Sequence, residues 1–155
     1  MKKTLIFAIL ALCFCVSQVH AAAPPATITA TNIRVVTEIT KKVLTLTWTA
    51  SGGAVGDTTI SASTYGIAGW YLYSAETNPG ATAPTDLYDI VLNDADGVDI
   101  AGGLLMNRSE TATQLVNIGN SAHGYPVIRG DITMVLSNNV VAAATGTLVL
   151  TFVAN

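Results

Sequence analysis

The run Val43-Leu-Thr-Leu-Thr-Trp-Thr49 decides the fold class. Leu44, Leu46 and Trp48 alternate with Thr45, Thr47 and Thr49. A period of two puts the large side chains on one face of an extended strand and the threonines on the other. A helix would need apolar residues every three or four positions, and no window of the chain shows that pattern convincingly. The alternation returns at Tyr88, Ile90 and Leu92, at Ile132, Met134 and Leu136, and at Leu148, Leu150 and Phe152. Short alternating runs between turn residues predict an all-β chain. The expected architecture is a single-domain antiparallel β-sandwich, or a flattened barrel, of roughly seven to nine strands.

Outward from that run, Thr27 to Thr37 is rich in β-branched residues and is expected to pair with it across a turn near Glu38–Lys42. Ala50 to Asp57 (ASGGAVGD) reads as a loop by its glycines. Ile67 to Tyr73 reads as a strand, with Trp70 and Leu72 facing one way and Tyr71 and Tyr73 the other. Asn78 to Pro84 is a punctuated loop, and Leu87 to Asn93 alternates again. Asp94-Ala-Asp-Gly97 then predicts a hairpin tip, because glycine takes a positive φ at no steric cost, and Val98 to Leu105 is the expected return strand. Asn107 to Thr113 is a polar connection, Asn117 to Gly124 a second loop, and Asn138 to Ala144 joins the last two strands. The predicted core is Leu44, Leu46, Trp48, Trp70, Leu72, Ile90, Leu92, Ile132, Met134, Leu136, Leu148, Leu150 and Phe152.

The N-terminus has a different character. Met1-Lys2-Lys3 is a short basic start, Thr4 to Val16 is almost unbroken apolar sequence, and Val19-His20-Ala21 offers small residues at a cleavage site. That order predicts a secretory signal over 1–21. The apolar run is shorter than the roughly 20 residues of a bilayer span, so no stable membrane span is expected after cleavage. Residues 22–26 form a Pro/Ala leader, and 27–155 form the domain. Both cysteines, Cys13 and Cys15, lie in the signal, so the 134-residue mature part has no thiol for a disulfide, a metal or nucleophilic chemistry. Losing Lys2 and Lys3 with the signal moves the net charge from −3 to −5, which argues against nucleic acid as a partner.

Chemistry-bearing clusters are few. Asp94, Asp96 and Asp99 place three carboxylates within six residues, the one weak calcium candidate of the chain. Their spacing misses the EF-hand pattern, because Gly97 comes too early and Leu105 stands where the bidentate glutamate belongs. The favoured reading is a solvated hairpin tip, and no cofactor is expected. His123, the one histidine of the mature part, has no cysteine or nucleophile-elbow serine to serve. Asp86 and Asp89, three apart, would point to opposite faces of a strand and so not serve one substrate, unless the strand starts after Asp86. Trp70, Tyr71 and Tyr73 form an aromatic strip that can stack on sugar rings, or pack in a core or a subunit interface. No catalytic constellation results, and the chain is read as a non-enzyme.

Gly69 to Arg108 reads GWYLYSAETNPGATAPTDLYDIVLNDADGVDIAGGLLMNR. A hydrophobic strand is followed by Thr77-Asn-Pro-Gly80, Ala83-Pro-Thr-Asp86 and Tyr88-Asp89-Ile90, then Asp94, Asp96-Gly-Val-Asp99, Gly102-Gly103 and Asn107-Arg108. In this order the segment resembles small, mostly uncharacterised all-β proteins encoded among the structural genes of tailed bacteriophages and prophages. The resemblance implies a virion-associated head or tail accessory protein. Its partners would be copies of itself or other virion or surface proteins. The chain departs from the pattern in its export signal. The alternative is therefore an exported cell-surface or periplasmic binding module, with carbohydrate as the candidate ligand of the aromatic strip.

Overall fold

The computed structural model describes residues 41–50, 55–120 and 124–154. The predicted signal, the Pro/Ala leader, the 27–37 strand and His123 lie outside them. The described residues form seven strands: β1 (Lys41–Thr49), β2 (Val55–Ile60), β3 (Tyr71–Pro79), β4 (Asp89–Asn93), β5 (Gln114–Asn117), β6 (Ile132–Ser137) and β7 (Thr145–Val153). They make two antiparallel sheets, ordered β1-β7-β3-β5 and β2-β6-β4. The fold is an all-β sandwich. Among the described residues no helix is long and apolar enough to cross a membrane.

β7 organises the larger sheet. All nine of its residues pair with β1, from Thr145↔Thr49 to Val153↔Lys41, and it pairs with β3 on its other side. Strict alternation along Thr145–Val153 turns Gly146, Leu148, Leu150 and Phe152 inward. Leu44, Leu46 and Trp48 of β1 and Leu72 of β3 join them. The smaller sheet supplies Ile60, Ile90, Leu92, Ile132, Met134 and Leu136, all buried. Each such side chain gains about 1.5–3 kcal/mol on leaving water, so the interface between the sheets is the main source of stability. The predicted core is found at these positions, except that Trp70 is half-buried and packs against the core from its margin.

Four elements differ from the sequence reading. Val55–Ile60 is a strand, not the end of a loop. Its Thr58 and Ile60 cover β6, and an edge strand with a bulge between Val55 and Thr58 tolerates Asp57. Ile67–Trp70 is a series of turns, not a strand. Gly66 (φ 62°) and Gly69 (φ 80°) break the extended backbone, while buried Ile67 plugs the sandwich end. β3 instead continues through Asn78 and Pro79, held by their pairing with Thr147 and Gly146. Gln114–Asn117, where the sequence reading placed no strand, is β5, paired with β3.

The fourth difference is Val98–Leu105, which is not a strand. The chain does turn at Asp94–Gly97, with Gly97 N donating to Asp94 O at 3.0 Å and Gly97 at φ 79°. Only Asp99 then bridges back, to Asn93. Gly102 (φ 61°) and Gly103 (φ 78°) fold the chain beyond Asp99 into turns. These turns still run beside β4: Ile100 N donates to Leu92 O, Ile90 N to Leu105 O and Arg108 N to Tyr88 O. The edge of β4 is thereby satisfied without a regular strand.

Candidate interaction surface

Antiparallel register decides what the larger sheet shows on the side away from the core. Thr47, Thr147 and Asn78 form one row across it. Thr45, Val149, Glu76 and Leu115 form the next. Val43 lies beside Thr151, and Lys41, Val153, Tyr71 and Val127 close the series. Glu76 is the one carboxylate in these rows, and Lys41 stands at their corner. Leu115 is 64 % exposed. Threonine and valine dominate because they suit a pleated surface, and their scarcity of charge makes the face inexpensive to desolvate.

The aromatic strip divides. Trp70 sits at the margin of the core with Lys42 Nζ 4.3 Å from its ring centroid, and the same ammonium donates to Gly66 O. The lysine thus ties β1 to the 61–70 turns through a cation–π contact and a hydrogen bond. Tyr71 begins β3 and bridges to Val127. Tyr73 falls where the β3–β7 register shifts, between Leu72 and Ser74. Its ring stacks on Tyr125, with centroids 5.2 Å apart and planes at 29°. Tyr125 also lies against Gly119, where any side chain would occupy the space of the ring. No sequence signal links Tyr73 to Tyr125, because the two residues stand far apart in the chain and meet only in the fold.

Two cavities lie near Tyr125. One, of about 310 Å³, is bounded by Asp94, Ile100, Tyr125, Pro126 and Arg129. The other, of about 460 Å³, is bounded by Val98, Ile100, Leu104, Ile118 and Pro126. Ile100 and Pro126 line both cavities, which lie between the 94–104 turns and the 124–130 segment.

The predicted metal candidates have structural work. Asp94 Oδ1 accepts from Asp96 N (3.0 Å) and Val98 N (2.9 Å). Asp99 accepts from Leu92 N (3.3 Å), Ala101 N (3.0 Å) and Gly103 N (2.6 Å). Asp96 is exposed at the tip. Among the described residues, no group of three or more His, Cys, Asp or Glu is placed to hold a metal ion. Asp86 is exposed, whereas Asp89 is buried and accepts from Asn107 N (2.7 Å) and from the Asn138 side-chain amide. The two acids do not share a site.

Inside the sandwich lies a polar cluster that the sequence does not announce. Trp48 Nε1, Thr77 Oγ1 and Tyr88 Oη are buried without a well-formed hydrogen bond. The Trp48 and Tyr88 rings meet at 5.9 Å and 57°. Burial pushes the Tyr88 phenol above its ordinary pKa, against the smaller opposing effects of the Thr77 hydroxyl and the Arg108 charge.

No protein-family model and no curated protein matches the chain. A solved structure, the cyanophage Pam1 capsid asymmetric unit, is similar over 84 % of this chain and 94 % of that one, at 11 % identity and a TM-score of 0.45. A likeness at that level establishes neither a shared fold family nor a shared role.

Proposed function

We propose that this protein is a non-enzymatic structural or interaction part of phage-virion type, and that it works by association with copies of itself or with other virion or surface proteins. The observation that carries this reading is the outer face of the β1-β7-β3-β5 sheet, whose rows of Thr, Val and Leu hold one carboxylate, Glu76. Depletion of charge marks the centre of protein interfaces. The resemblance of Gly69 to Arg108 to phage structural-gene products supports the same reading. Residues 1–21 read as an export signal, so in this proposal the site of action is the periplasm or the cell exterior, or the virion if the signal is not used.

Sedimentation of the purified protein tests the proposal, with Thr147→Glu and Val149→Lys as a paired variant. The expected result is an assembly that the variant dissociates without a large change in melting temperature. A monomer at every concentration, in a protein found neither in particles nor on surfaces, would overturn it.

A second reading, an exported carbohydrate-binding module, is favoured by the Tyr73–Tyr125 pair, since Tyr125 also lines a cavity with Ile100 and Pro126. Glycan-array binding that Tyr125→Ala removes would support it over the first.

A further inference from the structure

We propose that the cavity lined by Ile128 and Arg129 takes an extended peptide segment of a partner protein, with an apolar residue inside it and an adjacent acidic residue against Arg129. This goes beyond association through the outer sheet face. It is a separate surface, and neither depends on the other.

The cavity is the first ground. It measures about 310 Å³. Buried Ile128 and Ile132 and half-buried Ile100 give it an apolar lining. That volume is at the small end of ligand sites, which run from about 300 to about 1,000 Å³, and it suits a single inserted side chain better than a large ligand.

Backbone register is the second ground. Leu72 N donates to Pro126 O, and Ile128 N donates to Trp70 O, on either side of the Tyr71↔Val127 bridge. Tyr71 and Val127 are therefore the antiparallel pair that exchanges no hydrogen bond, and the N–H and C=O of Val127 point away from β3. Neither group has a partner among the described residues, and Val127 lines the cavity. An extended peptide satisfies such a donor and acceptor with its own backbone, as in strand addition.

Charge selects the peptide. Arg129 is exposed on the cavity lining and makes no hydrogen bond or ion pair among the described residues. Asp94, the carboxylate of the same lining, has its Oδ1 taken by Asp96 N and Val98 N and forms no ion pair with Arg129. The guanidinium is thus left for a carboxylate from outside the chain, its best-matched partner. Exposure alternates along Val127, Ile128 and Arg129: out, in, out. A strand laid beside them alternates in step, so a residue opposite Ile128 turns into the cavity and its neighbour stands opposite Arg129. An apolar–acidic pair in an extended segment fills both positions.

The test is fluorescence anisotropy on the full-length protein. The probes are three labelled, end-blocked pentapeptides that differ only in a central Leu-Asp, Leu-Lys or Ser-Asp pair. The Leu-Asp peptide is expected to bind at least tenfold more tightly than either of the others. Arg129→Glu should invert the preference between Leu-Asp and Leu-Lys. Gly130→Phe should abolish binding by filling the cavity. Gly130 lines it, has open space where a side chain would begin and is not at positive φ, so the fold accommodates the ring. Equal affinity for the three peptides, a preference unmoved by Arg129→Glu, or no binding of any peptide would overturn the inference. A glycan-array signal removed by Gly130→Phe, without peptide binding, would assign the cavity to sugar and overturn it too. Failure here leaves the outer-face reading standing, and a monomer in sedimentation leaves this site standing.

Discussion

Gly146 faces Trp48 directly across the β1–β7 ladder, and the indole fills the space a side chain on Gly146 would need. A Cβ there would lie 2.7 Å from Trp48 Cε2 and 3.1 Å from Nε1. Trp48 is fully buried and cannot swing away. Gly146→Ala should therefore destabilise the fold by about 1–3 kcal/mol, the usual cost of overpacking, despite alanine's lower unfolded-state entropy. Urea unfolding measures it. In a Trp48→Leu background the penalty should shrink, because the colliding ring is gone.

Asp89 joins two loops. Its carboxylate accepts from Asn107 N and from the Asn138 amide, and both asparagines hold left-handed backbone at φ 54° and 57°. Asp89→Ala leaves those donors without an acceptor next to the core and should cost about 1.5–3 kcal/mol, as hydrogen bonds to charged groups do. Chemical denaturation is the check. An unchanged midpoint would show that water replaces the carboxylate at no cost.

Tyr88 should make the protein sensitive to alkali. Its folded pKa is raised above the unfolded value of 10.0, chiefly by burial. The folded state thus holds the phenol proton that the unfolded state releases. The stability involved is fully present below pH 10 and is lost as pH rises from there through the folded pKa. Tyr88→Phe should flatten that part of the stability profile and change little at neutral pH, because the hydroxyl it removes lacks a good partner. Melting temperatures measured for both proteins from about pH 8 to about pH 11, spanning the tyrosine range, decide the point.

The aspartates of the 94–99 turn should differ sharply. Asp99→Ala removes an acceptor of three backbone N–H bonds and should cost about 1.5–3 kcal/mol. Asp96→Ala, exposed at the tip, should stay within about 0.5 kcal/mol. Calorimetric titration should find no micromolar calcium affinity, and affinity abolished by Asp96→Ala would reverse this reading of the turn.

Gly97→Val should destabilise by about 1–2 kcal/mol, since φ is 79° and a β-branched residue resists that conformation. Open space surrounds the position, so the cost is backbone strain alone. Gly97→Asn, which tolerates left-handed backbone better, should lose less in the same thermal assay.

How far each signal reaches along the chain decides which residues are legible. Leu44, Leu46 and Trp48, like Leu148, Leu150 and Phe152, declare their strand and inward face through alternation inside one segment. Ile67 misleads because an apolar plug in a turn looks like a strand residue when its neighbours are apolar too. Gln114–Asn117 is invisible because four residues are too few for a pattern. It becomes a strand only through pairing with Ser74–Thr77.

The amino-acid order by itself therefore determined the all-β class, most of the core and the tip at Asp94–Gly97, since all of these depend on periods and turn residues within a few positions. Only the tertiary structure decided that β7 lies between β1 and β3, that Glu76 is the one carboxylate in the rows of the outer face, and that Tyr73 meets Tyr125. Those relations join residues tens of positions apart. They arise when strands compete for partners to satisfy backbone groups and bury a common face, a competition that no single stretch of sequence records.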